Sequence, residues 1–217
     1  MQRIYTSGFR VLGLVVMLLC TAPAAVKATD GLYGAGAPED AAFVRIVLAA
    51  EEAEVAPVWI GATEFTDIAP FSVPPYRPVS PGIHQIGIGE HTAELIPSRG
   101  GYYTVVYDAG GLTIVEDTEH TRPDRAQIVL YNFSALDRLE LRTADGETTA
   151  VAAVPHGEGR DIAVNPIPIG FTVFSDGEPV KPVGDLGLEG GQSYSVFVFS
   201  VQGRLRVVTE QAELDLE

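Results

Sequence analysis

The chain has 217 residues, 46% of them hydrophobic, and carries 29 acidic against 14 basic side chains for a net charge of −15. A surface of that sign repels phosphate backbones and other polyanions at long range, which excludes nucleic acid as a partner. One cysteine, Cys20, excludes a disulfide-framed fold.

At the N-terminus, Arg3 and Arg10 lead into an apolar run from Val11 to Ala25, and Val26 and Ala28 stand at the −3 and −1 positions of a cut after Ala28. Residues 1–28 therefore read as a cleaved secretory signal peptide. The run has 15 residues, short of the ~20 that span a bilayer, so the mature protein is not expected to be membrane-spanning. Cleavage removes Cys20 together with Arg3, Arg10 and Lys27, and takes the net charge to −18. An exported chain without cysteine fits the periplasm of a Gram-negative cell.

Next comes TDGLYGAGAPEDAAFVRI, with Leu32 and Tyr33 in a Gly-rich run ahead of the first strand. An apolar pair outside an element packs on its own sandwich or on another protein by strand addition. Phe43 to Gly61 reads as a strand, a polar turn, a second strand and a Gly stop, and contains Trp59. Val73 to Gly82 holds four prolines, which bars it from the centre of a sheet and places it at a border or an edge. Within it Tyr76, next to Arg77, is expected to be exposed. Gly100 to Asp117, GGYYTVVYDAGGLTIVED, is two aromatic and β-branched runs around a Gly turn, a hairpin. Residues 118–125, polar and containing Pro123, read as a linker.

Ala126 to Gly146 repeats the plan of Phe43 to Gly61, and Gly190 to Glu210 repeats the hairpin. At an offset of 92, Tyr102 matches Tyr194, Val106 matches Val198, Tyr107 matches Phe199, Gly111 matches Gly203 and Val115 matches Val207. Leu139, Leu141 and Thr143 alternate with Arg138, Glu140 and Arg142, the pattern of half-buried antiparallel strands. A unit of about ninety residues is a domain, not a solenoid repeat. The predicted fold is all-β, with two tandem β-sandwich domains, immunoglobulin-like or jelly-roll-like, at 29–117 and 126–217.

Motifs for chemistry are sparse. No G-x-S-x-G occurs, and Ser175-Asp176-Gly177 places nucleophile-type residues inside an ordinary turn. Glu90 and His91 point to opposite faces of a strand, and Asp117, Glu119, His120 and Asp124 read as a solvated linker. Gly87-Ile88-Gly89 lacks the third glycine of a dinucleotide site. No catalytic, cofactor-binding or metal-ligating residue is assigned, and no cofactor is expected. Trp59, Tyr76, Tyr131 and Tyr194 could stack on sugars or serve a core. The candidates for partner or ligand contact are Leu32, Tyr33, Trp59, Tyr76 and Arg77.

Asp30-x-Leu32-Tyr33-Gly34, Ala37-Pro38 and Phe43-Val44-Arg45 resemble the start of the mature AlgF family of alginate biosynthesis proteins. Asp67-Ile68-Ala69-Pro70, Tyr102-Tyr103-Thr104-Val105, Leu141 to Gly146 and Arg160-Asp161-Ile162 continue the resemblance in the same order. It implies a periplasmic accessory protein of two β-sandwiches in the O-acetylation of an exopolysaccharide. The partners it implies are a membrane-bound O-acyltransferase and periplasmic serine acetyltransferases. Split at Arg125, the mature halves carry −10 and −8, and neither is a basic platform for a polyuronate. The expectation is an adaptor that is not itself an enzyme. A carbohydrate-binding module that holds the polysaccharide is the alternative, and an acetyl relay is a further one.

Overall fold

The computed structural model describes residues 39–51, 57–66 and 68–216. Residues 1–28, read as a signal peptide, lie outside them, as do Leu32 and Tyr33. The first unit contains β1 (Ala42–Leu48), β2 (Val58–Ile60), β3 (Thr63–Phe65), β4 (Arg77–Val79), β5 (His84–Ile88), β6 (His91–Leu95), β7 (Tyr102–Asp108) and β8 (Gly111–Asp117). The second contains β9 (Ala126–Phe133), β10 (Arg138–Thr143), β11 (Thr149–Pro155), β12 (Gly159–Val164), β13 (Gly170–Ser175), β14 (Glu178–Asp185), β15 (Ser193–Val201) and β16 (Arg204–Gln211). The chain is all-β, as the sequence predicts.

Four layers are stacked. The second unit is a sandwich of two four-stranded sheets, ordered β11-β10-β13-β14 and β12-β9-β15-β16. The first unit has one four-stranded sheet, β4-β1-β7-β8, faced by two short hairpins, β2-β3 and β5-β6. Ala42, Val44, Ile46, Tyr103 and Val105 meet Val58, Ile60, Phe65, Ile86, Ile88 and Leu95 in the first core. Ile128, Leu130, Val196 and Val198 meet Leu139, Leu141, Val154 and Val173 in the second.

A third core joins the units. Val47, Val106 and Val115 of the first pack on Val129, Tyr131, Phe133, Phe197 and Phe199 of the second. The two inner sheets therefore have apolar neighbours on both faces. This explains why every residue of β1 and β9, AFVRIVL and AQIVLYNF, is buried. Strands of that kind read as continuous apolar runs and not as alternation. Here the structure corrects an expectation. Half-buried antiparallel pairing holds for β10, but the centre of each inner sheet is a parallel pair. Phe43 to Leu48 runs beside Tyr102 to Tyr107, and Gln127 to Phe133 beside Ser193 to Phe199. Parallel partners need a long crossover, which is where each unit places its outer strands.

The proline-rich segment behaves as expected of it: Arg77–Val79 is β4, at the edge of its sheet. The repeat is present but shifted. Tyr103 and Tyr194 each point into their own core. Each accepts a hydrogen bond of 3.0 Å from the backbone N–H five residues earlier, Ser98 and Glu189. The equivalence on these strands is thus an offset of 91, whereas Tyr102 joins an aromatic cluster with Phe43 and Tyr76. A slip of one residue moves every side chain to the other face. The hairpin turns, Ala109-Gly110 and Gln202-Gly203, stand at 93, so 92 is the mean of two true offsets. Gln202 and Gly203 have φ of 50° and 75°, the left-handed pair that a two-residue hairpin turn requires.

Candidate functional site

The densest polar constellation lies where the two inner sheets meet. Arg45 occupies the middle of β1 and is 1% exposed. Its Nε donates to Thr104 Oγ1 at 2.9 Å, and its Nη2 donates to Tyr131 Oη at 2.9 Å and Ser195 Oγ at 3.0 Å. Thr104 and Tyr131 pass the polarity on, donating to Asp117 Oδ2 at 2.5 Å and Oδ1 at 2.6 Å. Tyr76 donates a third hydroxyl to Asp117 Oδ2 at 2.9 Å. The guanidinium also sits over aromatic rings, 4.4 Å from the centroid of Tyr76 and 5.3 Å from that of Phe197.

Burying one charge here without the other costs several kcal/mol, and the network answers that cost with both charges and four hydroxyls. Burial would lower the Arg45 pKa, but Tyr76, Tyr131 and Asp117 hold it above its ordinary value. Burial pushes the Asp117 carboxyl up, against the pull of Arg45 and of the hydroxyls of Thr104, Tyr131 and Tyr76. Asp117 as a residue is half-buried, with its carboxylate oxygens turned to those hydroxyls. Burial likewise raises the phenols of Tyr76 and Tyr131, so both remain protonated donors. Among the described residues no buried side-chain polar atom lacks a partner. The constellation binds two sandwiches to each other and leaves no free acid or base for a substrate.

Tyr76 is 4% exposed, against the expectation from its loop. Its ring lies edge-on to Tyr102, with centroids 5.4 Å apart, and the reason is the C-terminal tail. Residues after β16 cross back to the first unit, where Leu214 bridges to Tyr76 in parallel. Tyr76 N–H donates to Glu213 O at 2.9 Å, and Asp215 N–H to Tyr76 O at 2.8 Å. Arg77 is fastened by the same tail through an ion pair of 2.7 Å to Asp215, and its Nη1 donates to Glu64 O at 2.5 Å. Behind this pair Ile46, Phe65, Ile68, Pro74 and Pro75 line a cavity of about 170 Å³.

Trp59 is the sequence candidate that faces outward. It is 55% exposed in β2, opposite Glu64 of β3. Ile83 and Ile96, 69% and 59% exposed, flank the end of the β5-β6 hairpin where His84 pairs with Leu95. Gly61, two residues past Trp59, lies so close to His84 that an added Cβ would approach its ring at 3.0 Å. Val58, Ile60, Ile86 and Leu95 point inward, so period two turns Trp59, Ile83 and Ile96 outward together. The structure thus separates the candidates. Trp59 is on an outer face, Tyr76 and Arg77 are held under the tail, and Leu32 and Tyr33 lie outside the described residues.

Elsewhere, the stretch 118–125 is tied down. His120 is buried and donates from Nε2 to Arg125 O at 2.9 Å, and Gln127 donates to Thr118 O at 3.0 Å. Asn132, the last residue but one of β9, is fully buried and donates to Leu136 O and Val154 O. A cleft of about 450 Å³ at one end of the inner sheets is lined by Asp108, Ser134, His156 and Ser200. His156 donates from Nδ1 to Ser134 O at 2.8 Å, and Ser200 Oγ accepts from Ala135 N–H at 2.8 Å.

Sequence reasoning missed the Arg45 network. Its signal was one arginine inside the apolar run AFVRIVL, at the position where the second copy has Val129. A charge in mid-strand between apolar neighbours requires a buried partner, and Asp117, assigned to the end of a hairpin, supplies it.

Comparison with known proteins bears on most of the chain. A family model described as alginate O-acetyl transferase AlgF matches residues 15–195. The chain is similar to the alginate biosynthesis protein AlgF of Pseudomonas aeruginosa, at 28% identity over 85% of each chain. It is also similar to that of Azotobacter vinelandii, at 28% identity over 82% of this chain and 81% of the relative. A solved structure of the C-terminal domain of AlgF from P. aeruginosa is similar at 26% identity. It covers 41% of this chain and 98% of that one, with a TM-score of 0.38.

Proposed function

The chain belongs to the AlgF family, and from that premise we propose that it is a periplasmic adaptor in the O-acetylation of alginate. It takes part in alginate biosynthesis by bringing a membrane-bound O-acyltransferase and periplasmic serine acetyltransferases together. One observation carries the reading. The densest cluster of ionisable groups, Arg45, Asp117, Tyr76 and Tyr131, is engaged with itself between the sandwiches. What the molecule presents outward is contact area, with a bare tryptophan on one face. Among the described residues no helix is long and apolar enough to cross a membrane, which accords with a role beside a membrane enzyme.

Deletion tests this reading. The strain should secrete a normal amount of polymer with low acetyl content, and the tagged chain should co-purify with the acetyltransferases. Polymer that keeps its full acetyl load in the deletion strain would falsify the proposal.

The cleft with His156 and Ser200 favours one second reading, an acetyl carrier, in keeping with the transferase description of the family. Exposure to an acetyl-ester donor should then add one acetyl mass to the chain, and Ser200→Ala should abolish it. An unchanged intact mass removes that reading.

A further inference from the structure

Three aromatic clusters of this protein are already covered by cations of the same chain. Arg45 lies over Tyr76, Arg142 stands 4.8 Å from the ring centroid of Phe174, and Arg206 stands 5.0 Å from that of Phe71. The pair in the outer sheet of the second sandwich is instructive. Phe174 is 7% exposed beneath Arg142, and Arg142 is itself paired with Glu140 at 2.5 Å. Among the described residues, the corresponding outer layer of the first sandwich has the ring and the acid but no arginine or lysine over the ring. Trp59 stands across from Glu64, and Glu94 lies on the neighbouring hairpin, holding Gln85 at 3.1 Å. The four strands of this layer read VWI, TEF, HQIGI and HTAEL, without a lysine or arginine. Of the arginines close to it in sequence, Arg77 is held by Asp215 and by the Glu64 carbonyl, and Arg99 donates from Nε to Glu39 O at 2.8 Å.

We propose that the outward side of this layer docks a folded protein that presents arginine or lysine side chains among apolar ones, with one cation seated on Trp59. The proposal rests on the adaptor reading and locates its contact. Trp59, Ile83 and Ile96 are three of the five large hydrophobic side chains that stand exposed among the described residues, and three on one layer exceed the scatter of single apolar residues normal on a surface. A π face with acids beside it attracts a cation, and apolar neighbours with an acidic rim complement a basic-rimmed patch. The same charges repel a polyuronate, and they repel a second copy of this chain, whose net charge is also −15. Tryptophan and arginine are the residue types that carry most energy at the centre of such contacts.

Trp59 is the only tryptophan in the chain, so its emission reports on this face alone. The purified mature protein is titrated with a peptide of alternating arginine and leucine, with a glutamate–leucine counterpart, and with oligomannuronate. The cationic peptide should shift the emission to the blue and saturate. Glu64→Gln with Glu94→Gln should weaken it by at least about tenfold, at an unchanged melting temperature. The acidic peptide and the sugar should leave the emission where it is. A saturable shift with oligomannuronate alone overturns the proposal in favour of a polymer platform. A cationic peptide that binds without moving the emission, or binds the double variant equally well, also overturns it. In parallel, Trp59→Ala should lose at least about tenfold in recovery of the acetyltransferases. Equal recovery by wild type and Trp59→Ala refutes this surface and keeps the adaptor. No recovery by wild type refutes the adaptor, while the titration still judges the surface.

Discussion

The face shared by the two sandwiches and the outward face of the first are both built on aromatic rings. On the shared face Arg45, Tyr76, Tyr131 and Phe197 are sealed, and both charges, Arg45 and Asp117, have their partners within the chain. On the outward face Trp59 has an acid across from it and solvent above it. The difference follows from strand length. The inner sheets use strands of seven to nine residues at their centres, long enough to bury both faces. The outer layer of the first unit uses strands of three to five residues, which cover a core on one side only. A unit written twice has thus come to serve cohesion on one side and contact on the other.

The largest expected effect breaks the sealed face. Asp117→Ala leaves Arg45 buried with neutral acceptors alone, and stability measured by urea denaturation should fall by about 3–5 kcal/mol. Trp59→Ala tests the opposite side. Its stability should stay within about 0.5 kcal/mol of wild type, although recovery of partners falls. A marked loss of stability there would mean that the ring is structural and would erase the contrast. Removal of residues 213–217 should lower stability by about 1–2 kcal/mol, since two backbone hydrogen bonds and a partly exposed ion pair are lost. Hydrogen exchange should rise first at Tyr76 and β4. Arg142→Ala, which makes the second outer sheet resemble the first, should remove about 1 kcal/mol or less.

The smallest effect is one of pH. Burial holds the Asp117 carboxyl above its ordinary value. Between that ordinary value, about 4, and the raised one, the folded chain binds a proton that the unfolded chain does not. Stability from this site therefore rises as pH falls through the raised pKa, and levels off below the ordinary one. Denaturation at stepped pH should show that slope in wild type and not in Asp117→Asn.

Much of the fold was legible. The doubled hairpin, the polar turns, the edge position of Arg77–Val79 and the all-β class follow from period two, Gly turns and prolines. What lay hidden depended on the meeting of the two units. The runs AFVRIVL and AQIVLYNF lack alternation because each is covered twice, and that is a fact about a neighbour, not about the strand. Tyr76 gave every local sign of exposure, and a tail nearly 140 residues away in sequence covers it. Trp59 was readable in part, since Val58 and Ile60 on either side of it mark the inward face.

The crossing of Leu214 to Tyr76 bears on the order in which the molecule can form. The first unit is completed by a segment that follows the whole of the second, so it cannot close before residues 213–215 have been made. Its arginine must also await Tyr131 and Ser195 from the later half. Such distant pairings form slowly. Closure of the first unit is therefore tied to that of the second, although its own residues are made earlier.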